Sequence, residues 1–280
     1  MAGSIAEIYM ESFDTNMLFM LKEFKGGLLK QGCQVKTEKG RENIHFTRMT
    51  ESNTFKGKLD MLSEEFQSNA GDAKKFTVSP EYVYWADVKD ISALNKTDFD
   101  LESNYLTSAV NAIEREEDNE VIAAIKAKDS SLRKAGNVSV DLVENTLENI
   151  EALLASLKYS ITVAHKIGVE KKKKVYLLIN IDDYSLLYSK KEFISSDFKD
   201  TSGNFFEVIP IPYPKTMMPS GTAYIMPSGT CGWGEWENTA ETHSEYFFQR
   251  DQLHMMAKKS MSAVCVEPDV ITKFSYKQKV

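Results

Sequence analysis

Glycine and proline are scarce in this sequence, and so are cysteine and arginine. The 280 residues include 14 glycines and 7 prolines, whereas these two types together make up roughly 12% of an average protein. Long helices and strands are therefore favoured over many short turns. The three cysteines are odd in number and widely spaced. This excludes a disulfide framework and the CxxC spacing of a zinc site, and it fits a reducing compartment.

Arginine scarcity and an acidic balance limit the function further. Five of the 34 basic residues are arginine, and the formal net charge is −7. Proteins that read nucleic acid usually carry a net positive charge and use arginine forks on phosphates, so the composition argues against a dedicated nucleic-acid reader. No run of about 18 apolar residues occurs, and the first residues lack the basic and apolar regions of a secretory signal, so neither a membrane span nor a leader is expected.

What the sequence does contain is enough apolar material for a core, at 42% hydrophobic residues and 11% aromatic residues. The first third of the chain is nevertheless unusual. Residues 4–31 are rich in Met and Phe at roughly helical spacing, so this face is either part of the core or a contact with a neighbour. We expect the neighbour contact, because no adjacent segment obviously covers the face. Residues 32–76 are polar and weakly periodic, which fits either a long projecting β-hairpin or a flexible surface loop.

Strong patterns predict the next elements. Residues 76–90 are rich in aromatic and β-branched side chains and predict a strand, with an edge or a bend at Pro80. Residues 100–128 predict one long helix with Asp100 as its N-cap, an apolar stripe on one side and a middle, residues 114–118, that is charged on nearly every face. A second helix is predicted over 139–158, capped by Ser139 and Asp141.

The later part of the chain predicts alternating strands and helices. The run VYLLINI at 175–181 is typical of a strand buried on both faces, and a helix is expected to start at Asp182. Further strands are predicted at 205–211 and at 223–225, the latter between two Pro-Ser-Gly turns. Residues 260–277 predict a strand, a turn and a strand, and this closing β structure could pair with the strand at 76–90.

Few residues could carry chemistry. Asp182 and Asp183 follow a buried strand, where α/β proteins often hold magnesium or phosphate, but we interpret them as helix caps because no phosphate-binding glycine motif occurs. Cys231 lies in TCGWGEW among acidic neighbours that would raise its pKa, so an unreactive thiol is expected. The histidines show no metal-binding spacing. We therefore predict no catalytic, cofactor-binding or metal site.

Taken together, the order of these parts resembles the major capsid proteins of tailed bacteriophages, which share the Hong Kong 97 type fold. Three stretches carry the resemblance. YVYWADVKDISALNKTDFDLESNYLTSAVNAIEREEDNEVIAAI (82–125) resembles the strand that enters the long spine helix. VYLLINIDDYSLLY (175–188) resembles the central strand with its helix, and SMSAVCVEPDVITKFSY (260–276) resembles the closing strands.

The resemblance implies an α+β fold with four parts. It implies an N-terminal arm at 1–36, an extended β-hairpin loop at 37–78, a peripheral domain with the spine helix at 79–135 and 246–280, and an α/β axial domain at 136–245. The protein would be a structural subunit, not an enzyme, that self-assembles into the pentamers and hexamers of an icosahedral head enclosing double-stranded DNA. It would need no cofactor and contact no membrane.

The resemblance also implies partners and contact residues. The partners would be copies of the chain itself, separate scaffold and portal proteins, and packaged DNA that is held non-specifically, which an acidic subunit favours. The protein would be located in the virion and assembled in the host cytoplasm. Inter-subunit contacts are expected from apolar residues of the arm and loop and one arginine: Phe13, Phe19, Phe24, Phe46, Arg48, Phe55, Leu59 and Phe66.

Three alternatives stay open at this point. Within the same fold, the chain could form the shell of a cargo-enclosing nanocompartment. From a different class, it could be a small α/β hydrolase or transferase that uses Asp182 and Asp183, or Cys231. It could also be a soluble adaptor whose 32–76 loop binds a partner.

Overall fold

A computed structural model of the chain describes residues 17, 27–40, 42–48, 74–90, 101–134, 140–141, 159, 174–188, 207–237 and 239–277. Within these ranges the chain is an α+β protein. The helices are α1 (Leu101–Lys126) and α2 (Ile181–Tyr188). The strands are β1 (Gln34–Lys39), β2 (Ile44–Arg48), β3 (Lys74–Val78), β4 (Glu81–Asp90), β5 (Arg133–Lys134), β6 (Val140–Asp141), β7 (Lys174–Asn180), β8 (Glu207–Tyr213), β9 (Thr222–Pro227), β10 (Cys231–Glu237), β11 (Glu241–Phe247), β12 (Gln252–Cys265) and β13 (Thr272–Lys277).

Helix α1 is the longest element and confirms the predicted helix at 100–128. Its apolar stripe is buried against strands β12 and β4. The charged middle differs from the prediction, because two of its carboxylates point into the protein: Glu117 is 2% exposed and Asp118 is 9% exposed. None of the described helices is both long and apolar enough to span a membrane.

Strand β12 organises the first sheet. It pairs antiparallel with β4 over Gln252–Met261, with β11 over Gln252–Lys258, and with β10 over Met261–Cys265. Since β4 and β11 pair with the same part of β12, they flank it on opposite edges. The expected pairing of the closing β structure with the strand at 76–90 is thus confirmed. Strand β1 adds to this sheet by running parallel to β10.

The second sheet is built around β7, which is buried along nearly its whole length, as predicted. Strand β7 pairs parallel with β8 and antiparallel with β9, and β9 pairs with β13, which also takes up β5 and β6. The two Pro-Ser-Gly turns bracket β9 as expected. Gly221 and Gly229 have φ angles of 83° and 85° there, the left-handed region that favours glycine.

The segment predicted as one strand at 76–90 is two strands with different partners. β3 pairs with β2 in a two-stranded hairpin, whereas β4 joins the first sheet. Pro80 lies in the break between them, since proline cannot donate to a strand ladder. The predicted helix at 139–158 lies outside the described residues except at its start, where Val140–Asp141 is a strand. A helix therefore does not begin at residue 139 as predicted, and the capping role of Asp141 stays a prediction.

Both sheets share one hydrophobic core, which contains side chains of α1, β7, β9 and β12. Met17 and Leu29, from the Met- and Phe-rich first segment, are also fully buried in this core. The strand pairing crosses the expected domain boundary at 245–246. Strands β10 and β11 join β12 in the first sheet, while β13 joins the second.

Candidate functional site

Two of the eight predicted contact residues, Phe46 and Arg48, lie among the described residues, both on β2. The other six lie outside them: Phe13, Phe19, Phe24, Phe55, Leu59 and Phe66. The hairpin of β2 and β3, which we call the loop stem, carries the chain into and out of residues 49–73. The surroundings of Phe46 and Arg48 therefore show how the stem is attached to the body.

Phe46 is fully buried by its own chain. Its ring packs in a small core with Ile44, Val78, Trp236 and Val266. Strand β10 makes room for this core with Gly232 and Gly234, which lie on the same face of the strand because side chains alternate. A Cβ at Gly232 would stand 2.6 Å from the Phe46 ring, and one at Gly234 would stand 3.0 Å from Ile44 Cδ1. The two glycines of the CGWGEW motif thus leave the space in which the loop stem packs against β10.

Arg48 holds the end of the loop stem by two ion pairs. Its Nε lies 2.5 Å from Glu267 Oε2, and its Nη2 donates a hydrogen bond to Asp269 Oδ2 at 2.6 Å. Both carboxylates belong to the turn between β12 and β13. Glu267 is almost fully buried, and this burial raises its pKa to about 7 even though the Arg48 charge acts in the opposite direction.

The face of the first sheet that points away from α1 carries a row of exposed apolar side chains. Tyr82, Tyr84 and Val88 alternate along β4 on this outer face, and Phe247 of β11 lies across β12 from them. Tyr84 is 70% exposed. The opposite side of β4 instead packs Trp85 against the core. Contiguous exposed apolar rows on a soluble protein are typical of interaction sites.

Charges on this outer face are mainly acidic. Lys258 Nζ lies 2.7 Å from Glu241 Oε2 and 5.4 Å from the centre of the Tyr82 ring. On β11 the exposed Glu245 follows, with His243 Nε2 at 4.0 Å from its carboxylate. Lysine and arginine side chains bind both to aromatic faces and to carboxylates. A row of aromatic side chains beside carboxylates is therefore complementary to a basic partner surface.

A buried charge network connects α1 to the first sheet. Lys259 Nζ lies 2.7 Å from Glu235 Oε1 and 3.3 Å from Glu117 Oε1, and Lys30 also pairs with Glu235. Burial alone would lower the pKa of Lys259, but the two carboxylates together raise it. Burial likewise would raise the pKa of Glu235, yet the lysines lower it. The network is thus held in its charged form, and a buried pair of this kind is costly to break from one side.

The position of Glu117 in the sequence could have revealed this network. Ile113, Glu117, Val121 and Ile125 follow one another at intervals of four, so Glu117 lies on the apolar stripe of α1. A carboxylate at such a position has to find a buried partner. No comparable signal marks Lys259 or Glu235.

Asp182 and Asp183 do not cap helix α2. The cap is Asn180, whose Oδ1 accepts a hydrogen bond from the Asp182 N–H at 2.9 Å. Asp183 is fully buried and accepts hydrogen bonds from Gly221 N at 3.0 Å and from Ser220 Oγ, so it fixes the first Pro-Ser-Gly turn. The exposed Asp182 pairs with Lys215.

Cys231 is buried, as expected for an unreactive thiol. Its pKa is raised by the neighbouring thiol of Cys265, to which it is paired across β10 and β12, and by burial. Both cysteines are free thiols. Within the described ranges, no three His, Cys, Asp or Glu side chains come together in a way that could hold a metal ion.

Comparison with known sequences gives one family. A sequence profile described as phage capsid protein matches residues 5–205 of the 280. No curated protein matches the chain at a significant level.

Comparison with solved structures gives likenesses over nearly the whole chain. A virus-like particle from Pyrococcus furiosus is similar with a TM-score of 0.63 and 13% identity, over 95% of this chain and 99% of that chain. The capsid of cyanophage P-SCSP1u gives 0.58 and 11%, over 91% and 89%. Mycobacterium phage Bobi gives 0.56 and 12%, over 91% and 92%. At such identities the likeness shows the fold alone, and it confirms the predicted fold class.

Proposed function

Since the chain belongs to the phage capsid protein family, we propose that it forms the pentamers and hexamers of an icosahedral head that encloses double-stranded DNA. Family membership makes it a structural subunit of a capsid shell, located in the virion, and not an enzyme. The Hong Kong 97 type fold agrees with this role. Two residues of the alternative enzyme hypothesis also have structural roles. Asp183 accepts hydrogen bonds that fix the first Pro-Ser-Gly turn, and Cys231 is a buried thiol.

The observation that supports self-assembly best is the outer face of the first sheet. Its aromatic row is uncovered by the described part of the chain, while the other face of the same sheet is packed on α1. Stable interfaces bury on the order of 1,200–2,000 Å² and concentrate aromatic residues at their centre. We propose that Tyr82, Tyr84, Val88 and Phe247 lie at the centre of a contact with the next subunit.

The loop stem supplies a fitting partner surface. Lys74 and Lys75 are exposed on β3, and the outer face of the sheet presents Glu241 and Glu245. In a closed ring one patch of a subunit meets a different patch of its neighbour. A basic stem from one subunit on the acidic, aromatic face of the next satisfies this requirement, and it would bring residues 49–73, with Phe55, Leu59 and Phe66, over that neighbour.

We keep the four-part division as a proposal: an arm at 1–36, an extended loop at 37–78, a peripheral domain at 79–135 and 246–280, and an axial domain at 136–245. In this division β10 and most of β11 belong to the axial domain by sequence but pair with β12 of the peripheral domain. Strand β13 belongs to the peripheral domain by sequence but pairs with β9 of the axial domain. Separate scaffold and portal proteins, and assembly in the host cytoplasm, belong to the same proposal.

The contents of purified particles test the proposed function. Particles should contain double-stranded DNA that resists nuclease until the shell is opened, as measured by gel analysis of protected nucleic acid. A matched preparation treated with nuclease after opening should lose the signal. Particles that instead carry an enzyme and no protected DNA would support the nanocompartment alternative and contradict the proposal.

A further inference from the structure

Two neighbouring carboxylates of α1 hold the backbone of the segment that we call the junction, residues 27–33. Glu117 Oε2 accepts a hydrogen bond from Gly27 N at 2.6 Å, and Asp118 Oδ1 accepts one from Leu29 N at 3.1 Å. A Cβ at Gly27 would stand 2.4 Å from Asp118 Oδ1, so the backbone approaches the helix as closely as only glycine permits. The junction is therefore seated on α1 by its own amide groups.

The same segment also contacts the second sheet. Gly32 O accepts a hydrogen bond from Gly229 N at 2.7 Å, and Gln34 Nε2, one residue beyond the junction, donates to Gly229 O at 2.5 Å. A Cβ at Gly32 would stand 2.4 Å from the ring of Tyr176 on β7. The junction thus bridges the long helix and the second sheet.

The charged and titratable groups around the two carboxylates are unevenly distributed. They are Glu114 on α1, Lys30 and Cys33 in the junction, Tyr213 on β8, Glu235 on β10 and Lys259 on β12. Lys259 lies 3.3 Å from Glu117 Oε1. The hydrogen bonds that reach Asp118 from the described residues come from neutral donors, Leu29 N–H and the Tyr213 hydroxyl at 3.0 Å. Glu117 is thus compensated by a cation, whereas Asp118 is not.

We propose that the protonation state of Asp118 controls how tightly the junction binds to α1. The junction is held more tightly when Asp118 is protonated than when it is ionised. On protonation the Leu29 contact is kept and the Tyr213 contact reverses, so that the Tyr213 hydroxyl proton gives up Asp118 as its acceptor. Oδ1 can still accept the Leu29 N–H, while the new O–H donates to the Tyr213 oxygen. What is removed is a buried charge that adds to the charges of Glu114 and Glu117.

The electrostatics agree with this direction. Burial raises the pKa of Asp118 from 3.8 to about 6, which the two hydrogen bonds only partly oppose. A group whose pKa is raised in the seated state contributes stabilisation that is present below the pKa of the free group. That contribution is lost as the pH rises through about 6. The junction should therefore loosen between pH 5 and pH 8.

Amide hydrogen exchange on the full-length protein tests the proposal. The protection of the Gly27 and Leu29 amides, corrected for intrinsic exchange, should be higher at pH 5 than at pH 8, by up to about tenfold if release of the junction returns the pKa of Asp118 from about 6 to its ordinary 3.8. Asp118→Asn keeps an acceptor for Leu29 N–H and a donor to Tyr213, so it should abolish this pH dependence. Glu116→Gln, on the exposed side of the same helix, should behave as the wild type.

Tyr213→Phe provides a second variant in case Asp118→Asn does not fold. It removes a hydrogen bond that stabilises the ionised carboxylate, so the midpoint of the protection change should move to higher pH. Protection that is flat in the wild type, that retains its pH dependence in Asp118→Asn, or that keeps its midpoint in Tyr213→Phe would overturn the proposal. The test compares all variants in one assembly state and does not depend on the proposed ring contacts.

Discussion

The ring of Phe46 lies on the backbone of Gly232, so closely that a Cβ at position 232 would stand 2.6 Å from Phe46 Cδ1. The sequence pattern predicts Phe46 at a subunit contact, whereas in the structure its ring is buried by residues of its own chain. The loop stem is therefore fixed to the body of the subunit before any neighbour arrives.

Gly232→Ala should destabilise the subunit by about 1–3 kcal/mol, because the added methyl overpacks the seat of Phe46. Urea unfolding of the unassembled protein measures this change. In a Phe46→Ala background the same substitution should cost much less, since the clashing ring is gone. An equal cost in both backgrounds would show that Gly232 matters for another reason.

Asp183→Ala should destabilise the subunit by about 1–3 kcal/mol, because Gly221 N–H and Ser220 Oγ–H would lose a buried acceptor. Asp182→Ala is the matched control: it lies in the same turn of helix but is exposed, and it should leave the unfolding midpoint unchanged. Thermal or urea unfolding compares the two. A larger effect at Asp182 would contradict the assigned role of Asp183.

The stability of the wild type relative to Glu267→Gln should depend on pH. The pKa of Glu267 is raised from 4.5 to about 7, so its stabilising contribution is present below pH 4.5 and is lost as the pH rises through about 7. The unfolding free energy of the wild type minus that of Glu267→Gln should therefore rise as the pH falls from 8 to 5. A difference that stays constant over this range would refute the assignment.

Tyr84→Ser should weaken assembly without affecting folding, because Tyr84 is 70% exposed on the outer face of the first sheet. Removing a central aromatic side chain from an interface typically costs about 1–2 kcal/mol or more per contact, repeated at each contact of a shell. Ile181→Ser, at a half-exposed site at the start of α2, is the control. Sedimentation should give fewer particles for Tyr84→Ser alone, and equal yields would argue against this contact.

Long, regular patterns were enough to predict much of the fold. The apolar stripe of α1 and the continuous apolar run of β7 define their elements locally, and turn residues delimit β9. The pairing of β4 with β12 could be predicted because both stretches are rich in strand-forming residues, and each strand requires a hydrogen-bonding partner. The sheet partners of β1, β10 and β13 could not be predicted, because register between distant strands depends on packing that a single sequence does not record.

The predicted contact residues stay a prediction, and there is a physical reason why the sequence alone cannot settle them. An apolar side chain such as Phe46 has the same pattern whether its own chain or a neighbour covers it. The glycines at 232 and 234 were the available signal, since alternating glycines in a strand indicate a close approach from another element. The row of Tyr82, Tyr84 and Val88 was visible as alternation, but only the packing of Trp85 shows which side faces outward.

Electron microscopy of the purified protein tests the central claim most directly. If the chain assembles through the outer face of its first sheet, the wild type should form closed particles, or rings of five and six subunits, under at least one condition of salt and concentration. A monodisperse species of 31.7 kDa under all conditions tested, with no rings and no shells, would contradict the account.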